Sequence, residues 1–159
     1  MKKFRSSENF SNKSSLSQSK KSFIEFKEKV RYSEIDKMGV AHHKNYLEWF
    51  EIGRTEFCRH QNIPYSQIEA RGYYLVVVEA YCKYRKPLRY EDEFNIRVIL
   101  DQLSPRKIVF KYELLKDDKT IASGYTVHLV INSKTEVCSL PPDIIEKIKA
   151  PIPRANPLK

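Results

Sequence analysis

The chain has 159 residues and only three cysteines, Cys58, Cys82 and Cys138. An odd number at such wide spacing does not make a disulfide framework and points to a reducing, cytoplasmic setting. No apolar run approaches the roughly 18 residues needed to span a membrane. The N-terminus lacks the apolar stretch of a secretion signal, and no segment repeats. Acidic residues are nearly missing from residues 1–22, where Glu8 alone faces six lysines and arginines, for a net +5. Lys149, Arg154 and Lys159 add +3 at the other end. The overall +9 therefore leaves about +1 on the body of the chain. A protein that grips nucleic acid carries such charge on its folded surface, so nucleic acid is not an expected partner.

Residues 1–22 hold eight serines and few apolar side chains, too little to offset the entropy of ordering. They are expected to be a disordered basic tail. A serine-rich, basic, acid-poor segment is also the composition of an organellar transit peptide, although Phe4, Phe10 and Leu16 form no helical stripe. The whole chain is 41% hydrophobic and 12% aromatic, a globular composition long enough for one real core. One domain is expected over 23–148, followed by a basic tail over 149–159.

The body reads as strand, helix, then four strands. Phe26, Val30 and Tyr32 share one parity, with Lys27, Lys29 and Arg31 on the other, the pattern of a half-buried strand. Over residues 44–61 the period changes. Tyr46, Leu47, Phe50, Gly53 and Phe57 recur at spacings of three and four, which predicts a helix roughly 25 Å long. Gly53 costs that helix about 1 kcal/mol against alanine, so its backbone is expected to touch a sheet. Residues 76–86, then Phe94 to Leu100, Ile108 to Leu114, and 120–132 alternate as strands, the last carrying His128. Lys116-Asp117-Asp118-Lys119 is a hairpin turn, and Pro141-Pro142-Asp143 opens a short helix bearing Ile144, Ile145 and Ile148. Strands joined by short turns make an antiparallel sheet, and the one long helix must cover a face of it. The fold class is α+β.

The stretch Ser33 to Phe57, SEIDKMGVAHHKNYLEWFEIGRTEF, concentrates the chemistry. Adjacent histidines, His42 and His43, point in different directions, whereas helical zinc ligands are typically four residues apart, so no metal is expected here. A structural account has Asp36 in a turn, Gly39 at positive φ and a histidine near a helix start. A chemical account starts from the same place. A helix N-terminus offers unpaired amides and about half a positive charge, able to polarise a carbonyl. A carboxylate on the loop feeding it, Asp36, could attack that carbonyl or activate a water.

The series Tyr32, Asp36, Gly39, His43 and Tyr46 resembles the Y-x-x-x-D-x-x-G-x-x-x-H-x-x-Y signature of hotdog-fold acyl-CoA thioesterases, of the 4-hydroxybenzoyl-CoA thioesterase family and its YbgC-like branch. The resemblance runs from about Glu25 to Ile148 and includes Arg54-Thr55-Glu56, Gly72, Val77-Val78-Glu79, Tyr84, Pro87 and Asp92-Glu93. It implies a hotdog fold, an antiparallel sheet wrapped around one long helix. It implies Asp36 as the catalytic carboxylate, the His43 amide polarising the thioester carbonyl, and Tyr32 and the His43 ring lining the site. Gly39, Val40 and Tyr46 would contact substrate, and Arg106 and Lys107 would hold the coenzyme A phosphates, with Lys83, Arg85 and Lys86 as a second basic cluster. It implies no cofactor, and a homodimer or homotetramer with sites at the dimer interface. Met38 stands where the family has a small residue, which narrows the pocket entrance. Two other functions are consistent with the fold: a dehydratase of acyl thioesters, which would need a further catalytic carboxylate, and a non-catalytic acyl-CoA-binding protein.

Overall fold

The computed structural model describes residues 23–152. The serine-rich segment 1–22, with its tail or targeting role, lies outside the described residues, as do Arg154 and Lys159. The elements run β1 (Phe23–Lys29), a 3₁₀ turn (Tyr32–Glu34), α1 (Lys44–His60), α2 (Tyr65–Ala70), β2 (Tyr74–Tyr84), β3 (Glu93–Leu103), β4 (Lys107–Lys116), β5 (Lys119–Ile131) and α3 (Pro142–Lys149). The five strands form one antiparallel sheet in the order β1-β3-β4-β5-β2. No helix among the described residues is long and apolar enough to cross a membrane.

Helix α1 lies across the sheet and buries Tyr46, Trp49, Phe50, Gly53 and Phe57, the face its period of 3.6 puts together. Trp49 packs on Phe94, Phe50 stacks on Tyr112 with ring centres 4.3 Å apart, and Phe57 meets Phe110 edge-on. Gly53 approaches β3, where a side chain would collide with Val98 and Ile96, the close contact its position predicted. Strand β3 alternates cleanly, with Phe94, Ile96 and Val98 buried beneath the helix. Asp117 and Asp118 both take positive φ, as a two-residue type I′ hairpin demands. This is the hotdog arrangement expected from the resemblance: one long helix wrapped by an antiparallel sheet.

Two local readings are corrected. The first strand ends at Lys29, with Ile24 and Val30 buried. Tyr32 does not continue its inward parity: the chain turns at the 3₁₀ step and leaves Tyr32 75% exposed. Residues 65–70 form a helix too short to show a period, entered through Pro64, whose fixed φ suits a helix start. Strand β2 is an edge strand, and Tyr74, Val77, Val78, Tyr81 and Tyr84 are each between 38% and 54% exposed along it.

Candidate active site

Residues 35–41 form a tight loop that returns the chain to the head of α1. Ile35 and Ala41 pair as a bridge, the Asp36 amide donates to the Val40 carbonyl (2.9 Å), and the Gly39 amide donates to the Asp36 carbonyl (3.0 Å). Gly39 takes φ +75, and a Cβ there would meet nothing within 4 Å, so conformation rather than space selects glycine. The Ala41 amide donates to the Leu88 carbonyl (2.7 Å) and Val40 pairs with Arg89, fastening the loop to the segment after β2.

Asp36 is half-buried on this loop. Its Oδ1 accepts the Met38 amide at 2.7 Å, an Asx turn that fixes the carboxylate's direction. At the other end, His43 is already helical and opens α1 without a side-chain cap. The Asn45 and Tyr46 amides close onto the His42 and His43 carbonyls, and the Lys44 amide meets His42 Nδ1 at 3.2 Å. No described carbonyl accepts the His43 amide. A helix start with an open amide and a fixed carboxylate on the loop before it can hold a carbonyl oxygen and approach its carbon.

Aromatic rings surround this point. Tyr46 is buried and packs edge-on against Tyr84, whose hydroxyl donates to the His43 carbonyl at 3.4 Å. Burial pushes the Tyr46 phenol up to about 12, and it raises the Tyr84 phenol and the Cys82 thiol beside it. These groups are neutral walls at neutral pH. Tyr32 and Tyr90 pair edge-to-face beside the loop, and Met38 is 78% exposed. Against the expectation from adjacency, the His42 and His43 rings do not point in different directions but stack 4.2 Å apart; among the described residues no three His, Cys, Asp or Glu side chains gather as a metal site.

The structure thus brings together Asp36, Gly39, Val40, His43 and Tyr46, with Tyr32 exposed at the margin. It does not bring Arg106 and Lys107 to them in one chain. Lys107 pairs with Leu129, which also faces Val76 at the start of β2, whereas Tyr84 beside His43 is at its end. The eight residue steps from Val76 to Tyr84 span roughly 27 Å of strand. Lys83, Arg85 and Lys86 are exposed at the near end, and Arg85 donates to Ser123 Oγ at 2.6 Å. Tyr84 is read from sequence only as part of the resemblance, without a role, and Glu34 is not singled out; what each contributes depends on tertiary contacts.

The family model for the thioesterase-like superfamily matches residues 30–148. The acyl-CoA thioester hydrolase YbgC of Escherichia coli O6:H1 is 25% identical over 76% of this chain and 92% of its own length. The solved structure of a DHNA-CoA thioesterase from Staphylococcus aureus is 26% identical, with TM-score 0.76 over 79% of this chain and 87% of that one. A solved protein of Aquifex aeolicus is 34% identical, with TM-score 0.76 over 79% and 99%.

Proposed function

The chain belongs to the thioesterase-like superfamily, and on that premise we propose that it hydrolyses an acyl-coenzyme A thioester to the free acid and coenzyme A, with Asp36 as the catalytic carboxylate. It is a thioester hydrolase by family, and the finer reading concerns its residues and substrate. The observation that carries it is the loop 35–41. Asp36 is held there by the Met38 amide, and the loop's far end opens α1 at an amide that no described carbonyl takes up.

The thioester carbonyl oxygen faces the His43 amide and its carbon faces Asp36. As the carbonyl carbon becomes tetrahedral, the oxygen gains negative charge, which the amide and the positive end of α1 stabilise. Two courses use this geometry. Asp36 adds to the carbon, the C–S bond breaks to release the thiolate, and water then hydrolyses the mixed anhydride, restoring the carboxylate. Alternatively Asp36 takes a proton from the attacking water and passes it to the departing sulfur. In a single turnover in oxygen-18 water, label in Asp36 identifies the first course with water attacking the Asp36 carbonyl carbon, whereas attack on the acyl carbon puts the label in the free acid in either course. Gly39, Val40 and Tyr46 shape the site, and the His43 and Tyr32 rings orient substrate.

The exposed apolar length of β2 supports a dimer built by pairing that edge with its own copy. A two-fold antiparallel pairing swaps the ends of β2. It sets the Arg106 and Lys107 end of one subunit beside the Asp36 end of its partner, so these cations serve the phosphates across the interface. Lys83, Arg85 and Lys86 lie on the same chain's side of that site. The activity resides in residues 23–148, and the free cysteines Cys58, Cys82 and Cys138 fit a cytoplasmic setting. Free-thiol release from short, medium, long and aromatic acyl-CoAs, compared between wild type and Asp36→Asn, tests the proposal and identifies the acyl group.

A further inference from the structure

Glu34 is only 8% exposed, although Tyr32 and Ser33 of the same turn are exposed. Its Oε1 accepts the indole N–H of Trp49 at 3.1 Å and the Arg31 guanidinium at 3.2 Å, and its Oε2 accepts the Arg31 amide at 2.7 Å. Its carbonyl accepts two more donors, the Asn45 side-chain amide at 2.6 Å and the His42 amide at 2.8 Å. Asn45 and Trp49 are themselves buried in the first two turns of α1. A buried carboxylate is costly to desolvate, and one so fully bonded defines a single geometry for what it joins. What it joins is specific. Glu34 stands two residues before Asp36, and His42 one residue before His43.

We propose that Glu34 is a positioning residue for hydrolysis: by tying its own loop to His42, Asn45 and Trp49, it sets the distance between the Asp36 carboxylate and the His43 amide. This rests on the reading of Asp36 as the catalytic carboxylate. Both reacting groups hang from one anchor. The Glu34 carbonyl receives the amide that precedes the helix start, and the Glu34 carboxylate receives the indole from the second turn. Without the carboxylate the Glu34 carbonyl still receives His42 and Asn45, but the loop loses its ties to Arg31 and to Trp49 in the second turn of α1. Asp36 then moves relative to the amide that polarises its target. A misplacement of about 1 Å at reacting atoms is enough to cost on the order of 100-fold in rate.

Trp49 is the chain's only tryptophan, so its emission reports this contact directly. The test compares Glu34→Gln, which keeps shape and one acceptor oxygen, with Glu34→Leu, which keeps bulk and no acceptor. Both are assayed per folded enzyme and well below the melting temperature. Glu34→Leu should alter Trp49 emission and lower kcat about 10- to 100-fold with KM within about threefold, and Glu34→Gln should recover most of the loss. In an Asp36→Asn background Glu34→Leu should add no further loss, since the anchor acts through Asp36. If Glu34→Leu does not fold, Trp49→Phe removes the same indole donor while keeping an aromatic ring in the core, and should lower kcat in the same manner. The inference is overturned if kcat per folded enzyme stays within about twofold of wild type in these variants, or if losses multiply in the double mutant. Full activity in Asp36→Asn alone would instead remove the reading on which it rests, and the two failures are told apart by that single variant.

Discussion

A methyl group on Gly53 would stand 2.7 Å from Val98 Cγ2 and 3.2 Å from Ile96 Cγ2, so the middle of α1 rests on β3 with no room for a side chain. Both neighbours are fully buried and cannot swing away. Gly53→Ala would gain about 1 kcal/mol of helix propensity. Overpacking of this kind costs about 1–3 kcal/mol, so packing wins. Net of the propensity gain the loss is up to about 2 kcal/mol, and the variant should melt up to about 8 °C lower. A melting temperature above wild type would show that the helix stands further from the sheet.

The two histidines are expected to rank below Asp36. On the proposed mechanism the contribution of His43 is mainly its amide, which every substitution except proline retains. His43→Ala should therefore lose only part of the activity, less than Asp36→Asn, and His42→Ala less still. His43→Pro should lose far more than His43→Ala. A chelator should leave turnover unchanged; inhibition reversed by added zinc would overturn the mechanism.

The placement of Arg106 and Lys107 opposite Val76 makes the phosphate site a question of subunits. Arg106→Glu with Lys107→Glu should raise KM with little change in kcat, because phosphates lie far from the reacting carbon. Co-expression with the Asp36→Asn chain should then restore activity at low substrate to about one quarter of wild type, since half the dimers are hybrids and each has one intact site. Without such restoration, the cations act on their own chain or not at all, and the cluster Lys83, Arg85 and Lys86 becomes the phosphate site.

His128 is buried in the sheet, its Nε2 2.8 Å from Thr126 Oγ1 and its Nδ1 without a partner. Burial first, and Arg54 second, lower its imidazole to about 4. The unfolded chain takes up this proton near pH 6.5, before the folded one does. The stabilisation is therefore complete above pH 6.5 and declines as pH falls towards 4, by on the order of 3 kcal/mol in all. Urea midpoints between pH 7 and 4.5 should fall more steeply in wild type than in His128→Gln. Parallel slopes would contradict this origin.

Much of this was legible in the residues. The period of Tyr46, Phe50, Gly53 and Phe57 marks α1, and Lys116-Asp117-Asp118-Lys119 marks a hairpin turn, whose type I′ form shows only in the positive φ of both aspartates. Local patterns do not encode pairing order, so β2 at the sheet edge and the separation of Arg106 from Asp36 could not be read. Six residues are too few to reveal α2. Tyr32 fits a strand alternation but turns away, because Glu34 two residues later is drawn inward by Trp49 and Arg31. The loop motif located the candidate carboxylate, while the buried bonds that hold it arise only once the helix and loop meet.

The most direct test of the account is Asp36→Asn, which keeps the side chain's shape and removes its charge and basicity. Thioester hydrolysis by the folded enzyme should fall by at least about 100-fold, while affinity for the coenzyme A product stays nearly unchanged. Full activity in a folded Asp36→Asn enzyme would contradict the assignment of the catalytic carboxylate.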